Sequence, residues 1–199
     1  MALPSTETFT NTDGTELSTH NSAWTLSQGD LNINTNAIHA NGGPASESNY
    51  FRNDETYDND QYAEIELAAV ANGPFIGVLV RASGFGAALN AYGAYADADT
   101  IYVFKINSGT WTQLGATITR TQTVGEVIRL EVEGTTLTLK IDGITNTTRT
   151  DSDHTSGAAG ISGFSNVTTT RGDNWEGGNL SSGASVAPLA MHHINQMKG

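Results

Sequence analysis

Glu64 and Glu66 stand two residues apart in the stretch Gln61-Tyr62-Ala63-Glu64-Ile65-Glu66-Leu67-Ala68-Ala69. Side chains of an extended strand alternate between its faces, so both carboxylates point the same way, together with Tyr62. Two carboxylates on one face are what general acid–base or nucleophilic attack on a glycosidic bond requires. Glu131 and Glu133 repeat the spacing, but they fall on a strand face where solvated acids are the ordinary finding.

Holding a sugar without cleaving it needs a different set of groups, namely aromatic rings for stacking and polar groups that pair with hydroxyls. Tyr62, Tyr92, Tyr95, Tyr102 and Trp111 can supply the rings, and Arg81, Asn90, Glu64 and Glu66 the polar partners. Tyr92 and Tyr95 are an odd number of residues apart, so a regular strand puts them on opposite faces and only one of them lines a given surface. Acid and amide oxygens gather at Asn53-Asp54-Glu55, Asp58-Asn59-Asp60, Asp97 with Asp99, and Asp151 with Asp153. These are hard ligands of the kind calcium prefers, although none follows a defined calcium-loop pattern. Arg171-Gly172-Asp173 is an adhesion-type tripeptide too short to carry weight, and the adjacent His192-His193 pair cannot turn both rings to one metal from one helix.

The elements that must position these residues are strands. Ile128, Leu130 and Val132 alternate with Arg129, Glu131 and Glu133, then Leu137, Leu139 and Ile141 with Thr136, Thr138 and Lys140. With Glu133-Gly134-Thr135 between them, the two runs form a hairpin, and Asp142-Gly143 is the next tight turn before a strand over 144–150. Ala63, Ile65 and Leu67 share one face of another strand, and the continuous apolar run Phe75-Ile76-Gly77-Val78-Leu79-Val80 reads as a buried central one. Further strands are expected over 21–27, 31–40, 90–96, 100–106, 158–164 and 174–180.

The whole chain agrees with this pattern. It has 199 residues, 22 glycines, no cysteine and only 15% charged residues, which suits one all-β domain joined by turns. A formal net charge of −12 excludes nucleic-acid or anionic-membrane binding through a basic surface. The absence of cysteine excludes disulfides, thiolate catalysis and thiolate metal sites. No segment approaches transmembrane length, so membrane insertion is not expected.

The order of these elements resembles the concanavalin A-like lectin and glucanase jelly rolls, the laminin-G-like modules among them. The resemblance runs from about 7 to 180. It is carried by Glu7-Thr8-Phe9, Asp13-Gly14-Thr15-Glu16-Leu17, Trp24, Tyr62 to Leu67, Gly77-Val78-Leu79-Val80-Arg81-Ala82 and Asp173-Asn174-Trp175-Glu176. It implies two packed antiparallel sheets, adjacent first and last strands, a concave face that often holds carbohydrate, and calcium near the terminal strands, with Asp173 as a ligand. The glucanases of this superfamily carry E-x-D-x-x-E on one strand. Here the corresponding positions are Glu64, Glu66 and Ala69, and the alanine removes the group that would protonate the leaving sugar.

The expectation is therefore a non-catalytic, all-β, two-sheet antiparallel jelly-roll sandwich over 1–180. Its carbohydrate-binding residues are expected to be Tyr62, Glu64, Glu66, Arg81, Tyr92, Tyr102 and Trp111. A linker over 181–186 and a short C-terminal tail over 187–199 follow, the tail helical in part, with Leu189, Met191, Ile194 and Met197 as a partner-anchoring stripe. The N-terminal Met1-Ala2-Leu3-Pro4-Ser5 has neither a basic leader nor an apolar run. With the tail, this suggests a homo-oligomeric component of a bacteriophage virion that partners glycans or other virion proteins. The alternative is a secreted bacterial carbohydrate-binding module, or a degenerate glycoside hydrolase or polysaccharide lyase.

Overall fold

The computed structural model describes residues 4–43, 46–165 and 167–181. Within them the strands, in chain order, are β1 (Ser5–Glu7), β2 (Trp24–Gln28), β3 (Leu31–Asn34), β4 (Ala37–Ala40), β5 (Glu47–Arg52), β6 (Gln61–Ala69), β7 (Phe75–Ser83) and β8 (Asn90–Ala96). They continue with β9 (Thr100–Asn107), β10 (Thr110–Gln113), β11 (Ile118–Thr119), β12 (Val127–Glu133), β13 (Thr136–Ile141), β14 (Ile144–Thr150), β15 (Ala158–Phe164) and β16 (Arg171–Asn179). One short helix, α1 (Leu17–His20), precedes β2.

The strands form two antiparallel sheets. Sheet I runs β14-β13-β12-β6-β16-β4-β3, with β1 also paired to β16, so the first and last strands are neighbours. Sheet II runs β10-β9-β8-β7-β15-β5-β2, with β11 paired to β9. Consecutive strands β6 and β7 lie in different sheets, as do β14 and β15. These crossings make a sandwich of the kind expected from the sequence.

Alternation explains the interior. Ala63, Ile65 and Leu67 from β6 and Ile128, Leu130 and Val132 from β12 meet Ile76, Val78 and Val80 from β7 in one buried cluster. Trp24 and Trp175 make an edge contact there at 4.6 Å. Their indole N–H groups are satisfied, Trp24 donating to Glu7 Oε2 at 3.1 Å and Trp175 to the Gly160 carbonyl at 3.0 Å.

Several sequence expectations change in detail. The single strand expected over 31–40 is two strands, because Thr35 and Asn36 both take positive φ (55°) and reverse the chain between β3 and β4. The Asp142-Gly143 turn is as read, with φ of 50° and 75°. The adhesion-type tripeptide is not displayed on a loop, since Gly172 pairs with Leu67 on one side and Ile38 on the other. The alternating pattern missed β5, which becomes central to the site described next.

Candidate functional site

A sandwich sheet normally buries one face and wets the other. Sheet II departs from this rule, because its outer face carries a second apolar cluster. Leu79, Leu89, Ala91, Tyr95, Phe104 and Ile106 are buried there, with Phe51, Phe75, Tyr102 and Trp111 packed against them.

Register sets these side chains in cross-strand rows. Glu47, Phe164 and Phe75 are opposite one another on β5, β15 and β7. Two residues along, the next row is Asn49, Ser162, Gly77, Tyr95 and Tyr102. The third is Phe51, Gly160, Leu79, Gly93, Phe104 and Gln113. Small residues among large ones let the rings lean over. A side chain at Gly93 would meet the Phe104 ring at 2.3 Å, so glycine is required where that ring lies on the backbone.

Tyr95 is three strands and one row away from Glu47, about 14 Å in strand spacing alone. Its hydroxyl nevertheless lies 3.4 Å from Glu47 Oε1. Gly77 and Ser162, the next residues in the row of Tyr95, leave room for the tyrosine to lean across toward Glu47 in the adjoining row. The side chains converge to line a depression of about 480 Å³ bounded by Glu47, Phe75, Tyr95, Tyr102, Trp111, Gln113 and Phe164. Tilted, edge-to-face and stacked contacts fix the rings. Phe75 meets Tyr95 at 4.9 Å and Tyr102 at 5.4 Å, while Trp111 stacks near Phe104 at 5.7 Å and Tyr95 at 6.4 Å.

Polar groups of this trough and of the buried row beside it are under-satisfied. Glu47 Oε2, the Trp111 indole N–H, both amide atoms of Asn49 and the Ser162 hydroxyl are shielded from solvent without a hydrogen-bond partner among the described residues. The Trp111 N–H approaches the Tyr95 hydroxyl without reaching hydrogen-bond geometry. Native interiors rarely leave such groups unpaired, and water or a ligand in the trough would complete the two that belong to its lining, on Glu47 and Trp111. Burial pushes the Glu47 carboxyl up to about 7, despite the opposing pull of the Tyr95 hydroxyl. Burial and the neighbouring Glu47 charge both raise the Tyr95 phenol.

Of the residues singled out from sequence, Tyr95, Tyr102 and Trp111 reach this trough. Tyr62, Glu64 and Glu66 are on the outer face of sheet I instead. There the Arg129 guanidinium covers the Tyr62 ring at 3.5 Å from its centroid, and the Tyr62 hydroxyl donates to Glu176 at 2.5 Å. Glu64 is paired with Arg129 at 2.8 Å, and Glu66 accepts from Asn174 at 2.9 Å.

Two residues are corrections. Tyr92 is fully buried between the sheets, with its hydroxyl donating to Asp151 and accepting from the His154 N–H, so its ring offers no surface to a ligand. Arg81 is also buried. It takes positive φ (51°), and its guanidinium donates to the carbonyls of Asn59 and His154 beside Asp60. The tail residues Leu189, Met191, Ile194 and Met197 lie outside the described residues.

No family model matches the chain, and no curated protein matches it. Solved structures do. The carbohydrate-binding module CBM66 from Bacillus subtilis superimposes with a TM-score of 0.59 at 18% identity, covering 79% of this chain and 92% of that one. The carbohydrate recognition domain of Emp46p in its potassium-bound form gives 0.54 at 12% identity, covering 83% and 93%. The apo Crh5 transglycosylase gives 0.55 at 12% identity, covering 90% and 85%. The fold is a lectin-type jelly roll.

In this jelly roll Asp173 serves the backbone. Its Oδ1 accepts from the N–H groups of Asn174 at 2.8 Å and Phe9 at 3.4 Å, holding Asn174 at a positive φ of 48°. Among the described residues no group of three or more acids or histidines is arranged to hold a metal ion. The trough residues that sequence reading missed are Glu47, Phe75, Gln113 and Phe164. Only the aromatics among them carried a signal, as rings on the period of strands.

Proposed function

We propose that the trough of sheet II binds glycan and that the domain is a non-catalytic recognition module. The observation that carries this reading is the convergence of five rings, from Phe75, Tyr95, Tyr102, Trp111 and Phe164, with the unpartnered Glu47 Oε2 and Trp111 N–H on one depression. Ring faces take the apolar side of a sugar, and the free oxygen and N–H groups take its hydroxyls. Glu47 is the single acid lining the trough, whereas the usual glycosidases need two carboxylates facing one bond. On sheet I, Glu64 and Glu176 are already held by Arg129 and Tyr62, which supports the non-catalytic reading. The likeness to a carbohydrate-binding module and to a carbohydrate recognition domain agrees with this reading.

The wider proposal is that the domain sits in several copies on a bacteriophage virion, as a capsid, tail or fibre decoration, where avidity multiplies weak sugar contacts. The CBM66 likeness favours the second reading, a module of a bacterial polysaccharide-acting protein. Capsid and tail genes beside the native gene would favour the first, and polysaccharide-degrading genes the second. The decisive experiment is a glycan array with the purified chain, in calcium and in chelator, with light scattering for the oligomeric state. Trp111→Ala should weaken any hit by roughly tenfold to a hundredfold, the equivalent of one lost ring contact. A blank array from folded protein would overturn glycan binding and favour a purely structural particle protein.

A further inference from the structure

The charge of the trough narrows the ligand class. This inference rests on the glycan reading above and deepens it. The lining contains five aromatic rings, one glutamine and one glutamate, and no lysine or arginine. Aromatic faces are the negative part of a ring's quadrupole and attract cations within about 6 Å of their centres. Glu47 adds an acceptor oxygen shielded from water and unpartnered among the described residues. The other charged surface differs on this point, since its acids have cations of their own: Glu64 and Glu131 pair with Arg129, and Glu131 with Lys140.

We propose that the trough selects a glycan bearing free amino groups, a deacetylated hexosamine polymer for example, with the ammonium set between Glu47 and the surrounding ring faces. Such a group supplies both missing interactions at once, a positive partner for the carboxylate and N–H donors for its open oxygen. A neutral sugar would satisfy the hydrogen bonds but leave the carboxylate without a counter-charge. Uronate or sulfated glycans would bring an anion beside Glu47 with no cation to receive it, which is unfavourable in a partly desolvated site.

The test is calorimetric titration of the full chain, near neutral pH, with three oligosaccharides of equal length: glucosamine, N-acetylglucosamine and glucose oligomers. The expected result is binding of the glucosamine oligomer at least about tenfold tighter than the acetylated one, a difference of 1.4 kcal/mol or more. Glu47→Gln keeps the shape and hydrogen-bonding capacity but removes the charge, so it should bring the ratio close to one while retaining the weaker binding. Tyr102→Ala, a second variant, should weaken all oligomers that bind. Equal or tighter binding of the acetylated or glucose oligomer would overturn the amino-sugar inference and leave the glycan reading standing. Glucosamine preference that survives in Glu47→Gln would overturn it as well, tracing the attraction to the chain's overall negative charge. Failure of all three, together with a blank array, would instead overturn the glycan reading itself.

Discussion

The two outer faces of the sandwich are built from similar residue types and end in opposite states. On sheet I, Arg129 holds Glu64 and Glu131 at 2.8 and 2.7 Å, Lys140 holds Glu131 at 2.8 Å, and Arg129 also covers Tyr62. Tyr62, Glu64 and Glu131 in that patch are each occupied by a neighbour. On sheet II the rings pack edge to face around one glutamate that has no cation. A surface of tyrosines and glutamates is therefore a candidate for recognition only where the fold leaves them uncompensated. Sheet I has the residue types that first draw attention in the sequence, and sheet II has the unfilled valence.

The most severe way to break this comparison is to collapse the interior that keeps the two faces apart. Leu130→Asp places an unpaired charge in the fully buried cluster, at a cost of several kcal/mol against a typical margin of roughly 5–15. Urea unfolding should find it unfolded; a cooperative, native-like transition would refute the register of β12.

Next in size is the contrast between the faces. Tyr62→Ala and Arg129→Ala dismantle the sheet I network and should each reduce stability by about 1–2 kcal/mol. Glycan affinity should remain within about twofold of the unmodified chain in both. A loss as large as that of Trp111→Ala would place the binding surface on sheet I.

The smallest expected effect concerns pH. Burial holds the Glu47 carboxyl near 7 in the folded chain, above its value in the unfolded chain, so the folded state retains a proton that the unfolded state has already released. The stability this confers is complete below the ordinary glutamate range, declines as pH rises from there, and is lost above about 7. Its size is on the order of 1–3 kcal/mol. Glu47→Gln should flatten that part of the stability profile in thermal melts at a series of pH values. An unchanged slope would show that the trough hydrates Glu47 in solution.

How much of this could be read from sequence differs from strand to strand. β6, β12 and β13 display clean alternation because one face meets the core and the other meets solvent, and their registers follow directly. β5 was missed because its inward positions are Ser48, Tyr50 and Arg52 and its outward ones Glu47, Asn49 and Phe51, so neither face reads as apolar. Its Ser48 side chain lies against the Gly29 and Gly42 backbone, and Arg52 is layered over Trp24 at 5.1 Å. Tertiary partners, which no local pattern reveals, make those polar residues suitable for burial. Tyr92 and Tyr95 show the limit from the other side. Alternation required them to part, and they do, but it could not say that Tyr95 would face a trough and Tyr92 the core.

By itself the sequence determined the all-β class, most strand positions and the pairing of each residue with its strand-mates on one face, since these follow from the two-residue period of an extended chain. Only the tertiary structure decided which face of which sheet would be left incomplete. Glu47, Tyr95, Trp111 and Phe164 come from four strands far apart in the chain. They become one site because sheet order brings those strands side by side, and small residues between them let the large ones converge.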